Sequence, residues 1–161
     1  MTLISTQPIR VYADTSVYGG VFDDEFATPS RAFFEQINVG RYRLVTSPLL
    51  REELADAPAQ VWQWYERFAA GSEQVEVSAP AVLLQQAYLN VGIVGRKWEA
   101  DALHVAIATV GACHLIVSWN FKHIVSFQKI PLYNGVNLTR GFGAIAIHSP
   151  PEVIEHEDQD I

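Results

Sequence analysis

At 161 residues the chain is about one domain long, and with 49% hydrophobic and 18% charged residues it can fold on a core of its own, which excludes intrinsic disorder. The formal charge of −7, from 18 acids against 11 bases, excludes a uniformly basic coat for nucleic acid. The deficit is local, however: residues 152–160 hold five acids and no Lys or Arg, so the rest is nearly balanced and can present a basic groove.

Taken in chain order, Ile9–Ala13 is a short β-branched run stopped by Asp14-Thr15-Ser16 and Gly19-Gly20, which predicts a strand, a turn and a loop. Ser30–Val39 has helical spacing and ends at Gly40, and Tyr42–Thr46 is a second strand. Ser47-Pro48 opens a helix as cap and first-turn proline. Pro58–Ala70 is a third helical pattern, with Trp62, Trp64, Tyr65 and Phe68 spread over more than one face; they suit a core or a protein interface. Val75–Val77 is a strand candidate, Pro80–Asn90 and Glu99–Val110 are helical, and His114–Ser118 is a strand followed by a turn-rich stretch, Asn120–Phe127. Gly143–Ile147 predicts an edge strand. Strands alternating with helices, the strands almost wholly apolar, predict an α/β fold: a parallel sheet with helices on both faces. The expected division is a domain over residues 1–150 and a mobile acidic tail over 151–161.

One cysteine, Cys113, excludes an internal disulfide framework and a thiolate zinc site, and fits a reducing cytosol. The first residues lack the basic head and apolar run of a signal peptide. The most apolar stretch, Ala102–Val117, is too short and too polar to span a bilayer. A cytoplasmic protein with no membrane segment is the expectation.

In open parallel sheets, ligands sit beyond the carboxyl ends of the strands. Asp14 directly follows the first strand, and Asn120 lies two residues after HLIVS. Glu53 lies in the helix after the second strand, and Asp101 in the first turn of the helix before HLIVS. Taken singly, each has an ordinary explanation: Asp14 as a turn former or cap, Glu53 as a solvated helix residue, Asp101 as a partner of the helix dipole. Brought together, carboxylates repel unless a cation lies among them, and Mg²⁺ or Mn²⁺ suits a few carboxylates plus water. Such an ion can activate water and neutralise a phosphoryl transition state.

The segments VYADTSVYGGVFD, TSPLLREELAD and EADALHVAIATVGACHLIVSWNFKHIV, in this order and spacing, resemble the PIN-domain nucleases, and most nearly the VapC-type ribonuclease toxins of toxin–antitoxin pairs. The resemblance covers roughly residues 8–150. It implies a small α/β sandwich, a Mg²⁺- or Mn²⁺-dependent endoribonuclease, an RNA substrate, an antitoxin partner and a homodimer. The family's acids fall on Asp14, Glu53 (with Glu52 as the alternative register) and Asp101; its fourth acid falls on Asn120, a departure that leaves three formal charges. These four are the expected catalytic and metal-holding residues. Ser16, Lys122 and His123 are the expected substrate contacts; His123 stands where toxin members often carry another acid. The departure at Asn120 keeps a second expectation open: a PIN module with little or no activity that binds RNA or a protein.

Other patterns fail on context. Gly141–Ala146 satisfies G-x-G-x-x-A but is followed by a strand-like run. Gly92–Lys97 lacks phosphate-loop spacing, and the five histidines show no H-x-x-x-H pair. Arg96 and Lys97, just before the Asp101 helix, can steer a phosphate backbone or simply be solvated.

Overall fold

The computed structural model describes residues 7–155. Five strands form one parallel sheet in the order β3-β2-β1-β4-β5: β1 (Ile9–Ala13), β2 (Tyr42–Thr46), β3 (Glu73–Gln74), β4 (Leu115–Val117) and β5 (Ala146–His148). Val11, Tyr12 and Ala13 are all fully buried, as are Ile116 and Val117. Successive strand residues face opposite sides, so unbroken burial means that both faces are covered. The covering layers are α1 (Thr15–Gly20), α2 (Ala27–Asn38), α3 (Pro48–Ala55) and α4 (Ala59–Ala69), which pack on one another, and α5 (Ala79–Val91), α6 (Glu99–Val110) and α7 (Lys129–Thr139), which pack together elsewhere. The expected α/β sandwich is the observed one.

Several elements differ from the expectation. The stretch read as turn and loop after β1 is helix α1. Asp14 caps it through a bond from the Ser16 amide, and Val17 and Tyr18 are buried by it. Two glycines in six residues hide that helix from propensity. Gly20 is nonetheless required, because a Cβ there would lie 2.7 Å from Ser30 Oγ and 2.8 Å from Trp119 Nε1. Helix α7 carries Pro131 and Gly135, both poor helix formers. Tertiary contacts hold it: Tyr133 is buried with its hydroxyl on the His123 carbonyl at 2.8 Å, and Asn137 is buried beside Tyr88 and Thr109. The strand expected at Val75–Val77 pairs two residues earlier, with only the Val75 amide continuing the ladder to the Thr46 carbonyl at 2.9 Å. The edge strand begins at Ala146 rather than Gly143.

The aromatic helix α4 belongs mainly to the core. Tyr65 and Phe68 are buried, and Tyr18, Phe34, Trp64, Tyr65 and Phe68 form one ring cluster with centroids 4.7–5.6 Å apart along its contacts. At the other end, Pro150–Glu152 form a short 3₁₀ turn, Val153 is buried, and the Tyr42 hydroxyl donates to its carbonyl at 2.5 Å. The packed body thus reaches past Pro150, while residues 156–161 of the expected tail lie outside the described residues. Among the described residues no helix is long and apolar enough to cross a membrane.

Candidate active site

The strand order reverses its direction of growth at β1, whose neighbours are β2 and β4, so the crevice at the carboxyl ends of β1 and β4 is the sheet's switch point. Asp14 leaves β1 there, its amide bonded to the Val117 carbonyl at 3.1 Å, and the carboxylate is only 3% exposed. Oδ1 accepts from the Ser16 amide at 3.1 Å and the Ser16 hydroxyl at 2.5 Å, and Oδ2 accepts from the Ser118 hydroxyl at 2.6 Å. Ser118 Oγ in turn accepts from the Asn120 amide at 2.9 Å. One serine therefore ties the acid after β1 to the amide residue after β4.

Asp101, on the first turn of α6, is half-buried, and the Asn120 side chain helps to stabilise its charge. The Asn120 carbonyl oxygen accepts the amides of Lys122 at 3.2 Å and His123 at 2.9 Å, which fixes its amide group toward Asp101. On helix α3, Glu53 is half-buried beside Thr15 and His104, while Glu52 is exposed to solvent. Glu53 Oε1 accepts from Thr15 Oγ1 at 2.5 Å and lies 2.6 Å from His104 Nε2.

The electrostatics are those of crowded acids. Burial pushes the Asp14 carboxyl above its usual range, opposed by His104 and the bonds from Ser118 and Ser16, and the charge of Asp101 raises it further. Burial likewise raises Asp101, opposed by His104, His123 and Asn120, with Glu53 adding to the rise. Burial would raise Glu53 too, but the hydrogen bond and electrostatic attraction of the His104 ring N–H and the bond from Thr15 outweigh it and hold that carboxyl low. Among the described residues no Lys or Arg forms an ion pair with any of the three.

The donor set consists of oxygens only, as a hard cation requires. Yet no group of three His, Cys, Asp or Glu side chains among the described residues is close enough to form a metal cage. A cation held here would take one or two carboxylates and fill its remaining positions with water or substrate phosphate, the usual arrangement for Mg²⁺, because the Asn120 oxygen expected to join them is already engaged by two backbone amides. The residues fit a Mg²⁺-like ion and do not fit a closed structural site.

Beside the acids lies a cationic, aromatic rim. His123 is 6% exposed and stacks on Trp98, with centroids 4.4 Å apart and planes 27° apart. Lys97 Nζ and Lys122 Nζ stand 5.1 and 5.7 Å from the Trp98 ring centre. Burial lowers the His123 imidazole's affinity for a proton, Lys129 and Lys122 lower it further, and Asp101 acts against them. Its Nδ1 lies 3.4 Å from Lys129 Nζ, while its buried Nε2 has no partner. Of the expected substrate contacts, Lys122 is exposed and His123 covered. Ser16 uses its hydroxyl on Asp14 and accepts the Trp119 amide at 2.9 Å. Its placement makes it a support for Asp14. Sequence reasoning passed over Tyr12, His104 and Ser118; for His104 the available signal was its position three residues after Asp101 on one helix face.

No family model matches the chain, and neither does any curated protein. Solved structures do. The DNA-bound VapBC from Salmonella typhimurium matches with a TM-score of 0.58 and 16% identity over 88% of this chain and 98% of that one. VapBC2 from Rickettsia felis, bound to a DNA fragment from its promoter, matches at 0.57 and 12% over the same shares, and FitAcB from Neisseria gonorrhoeae at 0.52 and 14% over 89% and 99%. At such identities the likeness concerns the fold, and over nearly the whole of both chains that fold is the PIN-like α/β sandwich found in VapBC and FitAB assemblies.

Proposed function

We propose that the chain is a Mg²⁺- or Mn²⁺-dependent endoribonuclease and the toxin of a toxin–antitoxin pair, acting in the cytoplasm. The observation that carries this reading is that Asp14, Glu53, Asp101 and Asn120 border the β1/β4 switch point, with no Lys or Arg among the described residues ion-paired to the acids. The fold shared with VapBC and FitAB assemblies supports the biological setting and makes an antitoxin the expected partner. A homodimer belongs to the same reading.

In this reading Asp14 and Asp101 hold the cation, Glu53 reaches the ion directly or through water, and Asn120, its oxygen held by the Lys122 and His123 amides, supports Asp101. When bound, the ion supplies activated water and stabilises the charge gathering on the phosphate. Ser16 and Ser118 fix the Asp14 carboxylate by three hydrogen bonds. Lys122 and Lys97 attract the phosphate backbone, and His123 braces Trp98 beneath them. A second reading, binding of RNA or a protein without cutting, is favoured by Asn120 standing in place of a fourth acid.

Cleavage of single-stranded and structured RNA with Mn²⁺, with EDTA and with an Asp101→Asn control decides between them. Cutting that needs Mn²⁺ and disappears in the mutant supports the enzyme. Cutting that survives Asp101→Asn is contamination and refutes it, and tight RNA binding without cleavage supports the second reading.

A further inference from the structure

A buried polar chain runs behind Glu53. Ser47 Oγ and the Tyr12 hydroxyl are 2.9 Å apart, the Tyr12 hydroxyl is 2.7 Å from His104 Nδ1, and His104 Nε2 is 2.6 Å from Glu53 Oε1. Tyr12 is fully buried, His104 is 2% exposed and Ser47 is 4% exposed. The hydrogens close in one direction. The Glu53 carboxylate only accepts, so Nε2 donates to it; Nδ1 then accepts from Tyr12, whose oxygen accepts from Ser47. Ser47 Oγ also takes the Leu50 amide at 3.4 Å, as the cap of α3, the helix that carries Glu53. Every donor has an acceptor in this arrangement, and the imidazole carries its proton on Nε2. Three polar groups in a core are costly unless satisfied, and this chain ends on one specific carboxylate oxygen.

With Thr15 and His104 both on Oε1, Oε2 has no hydrogen bond from the described residues and the carboxylate remains about one-third exposed. We propose that Tyr12 and His104 are positioning residues for Glu53: together they clamp Oε1 and present Oε2 to the cation or its water. The proposal rests on the reading of this crevice as a cation site. Helix α6 makes the arrangement economical, since Asp101 and His104, three residues apart, share a face. One helix thereby supplies a candidate ligand and the group that aims another.

The test uses the full chain and three variants, His104→Gln, His104→Leu and Tyr12→Phe. A Gln amide reaches the position of Nε2 and can still donate to Glu53; Leu cannot. Mn²⁺ binding is measured by calorimetry, melting temperature is recorded in EDTA, and the ring nitrogens of metal-free protein are read from long-range ¹⁵N–¹H spectra. The wild type is expected to show His104 protonated on Nε2 alone, and Tyr12→Phe to keep that tautomer, which the Glu53 carboxylate fixes, while losing the bond that holds Nδ1. His104→Leu is expected to weaken Mn²⁺ by about 10–100-fold, the usual scale for a group that orients a ligand. His104→Gln should stay within about 3-fold of wild type, with Tyr12→Phe between the two. Unchanged Mn²⁺ affinity in His104→Leu with a lowered melting temperature would make His104 merely structural and overturn the proposal, as would equal losses for Gln and Leu. Should His104→Leu fail to fold, Tyr12→Phe decides: unchanged Mn²⁺ affinity overturns it. A wild type that binds no Mn²⁺ removes the cation site and the proposal together. Tight wild-type binding that depends on Asp14 but not on His104 removes the positioning role alone.

Discussion

Replacing Asp14 by Asn separates a charge role from a capping role. The amide keeps an oxygen for the Ser16 amide and hydroxyl, so the cap of α1 survives. Its NH₂ would face Ser118 Oγ, which now donates to Oδ2 at 2.6 Å and accepts from the Asn120 amide at 2.9 Å. A hydroxyl has two lone pairs, so Ser118 can accept from both neighbours and loses only its own donated bond, worth about 1 kcal/mol. Against this loss, the substitution removes a charge from a position that burial and Asp101 both make unfavourable. The metal-free mutant should therefore melt no more than about 2–4 °C below wild type, the shift that about 1 kcal/mol produces in a chain of this size, or above it. Excess Mn²⁺ tells the roles apart. At about 100 times its Kd, an ion that binds only the native state adds about 2.7 kcal/mol, or roughly 5–10 °C. Wild type should show that rise and Asp14→Asn should lose most of it, with RNA cleavage abolished. Parallel scanning calorimetry in EDTA and in Mn²⁺ is the assay. Equal Mn²⁺ shifts in the two proteins would refute the argument, since an aspartate that only caps a helix predicts that outcome.

Asn120→Asp should weaken the metal-free fold by about 1 kcal/mol, because a side chain that stabilises the Asp101 charge becomes a second carboxylate, while tightening Mn²⁺ by calorimetry; unchanged affinity would place residue 120 away from the ion. Gly20→Ala should cost about 1–3 kcal/mol in urea unfolding and shift the indole fluorescence, since its Cβ displaces the Trp119–Ser30 hydrogen bond of 2.8 Å; a silent substitution would show that α1 moves aside freely. Ala112→Gly should stabilise the protein by up to about 1 kcal/mol in the same assay, because Ala112 holds a left-handed backbone with φ of 56°; a loss would mean that its methyl packing outweighs the strain.

The strands that carry the site were legible because their patterns are local. Ile9–Ala13 and Tyr42–Thr46 coincide with the observed β1 and β2, and Ser47-Pro48 marks the start of α3. What the pattern missed depends on partners distant in sequence. Helix α7 exists because Tyr133 and Asn137 find the His123 carbonyl, Tyr88 and Thr109, up to 49 residues away. Val75–Val77 alternates as a strand should, but the chain leaves the ladder after one more bond and enters α5 at its Ser78 cap.

The site divides in the same way. Asp14, Glu53, Asp101 and Asn120 could be found because each follows a strand or lies on a helix flanking one, and the switch-point rule gathers such positions without side-chain detail. The hydroxyls and the imidazole that hold them could not, since their separations of 35, 51, 92 and 104 residues carry no periodic signal. Ser118 illustrates the consequence. It joins Asp14 to the Asn120 backbone, and the Asp14 amide joins Val117, so the loop after β4 is placed by main-chain bonds that ignore the charge of residue 120. Asn120 then accepts two backbone amides through its own carbonyl oxygen, as an aspartate there would. Either residue can accept the same two amides, so the two differ in charge rather than in the support they give the loop.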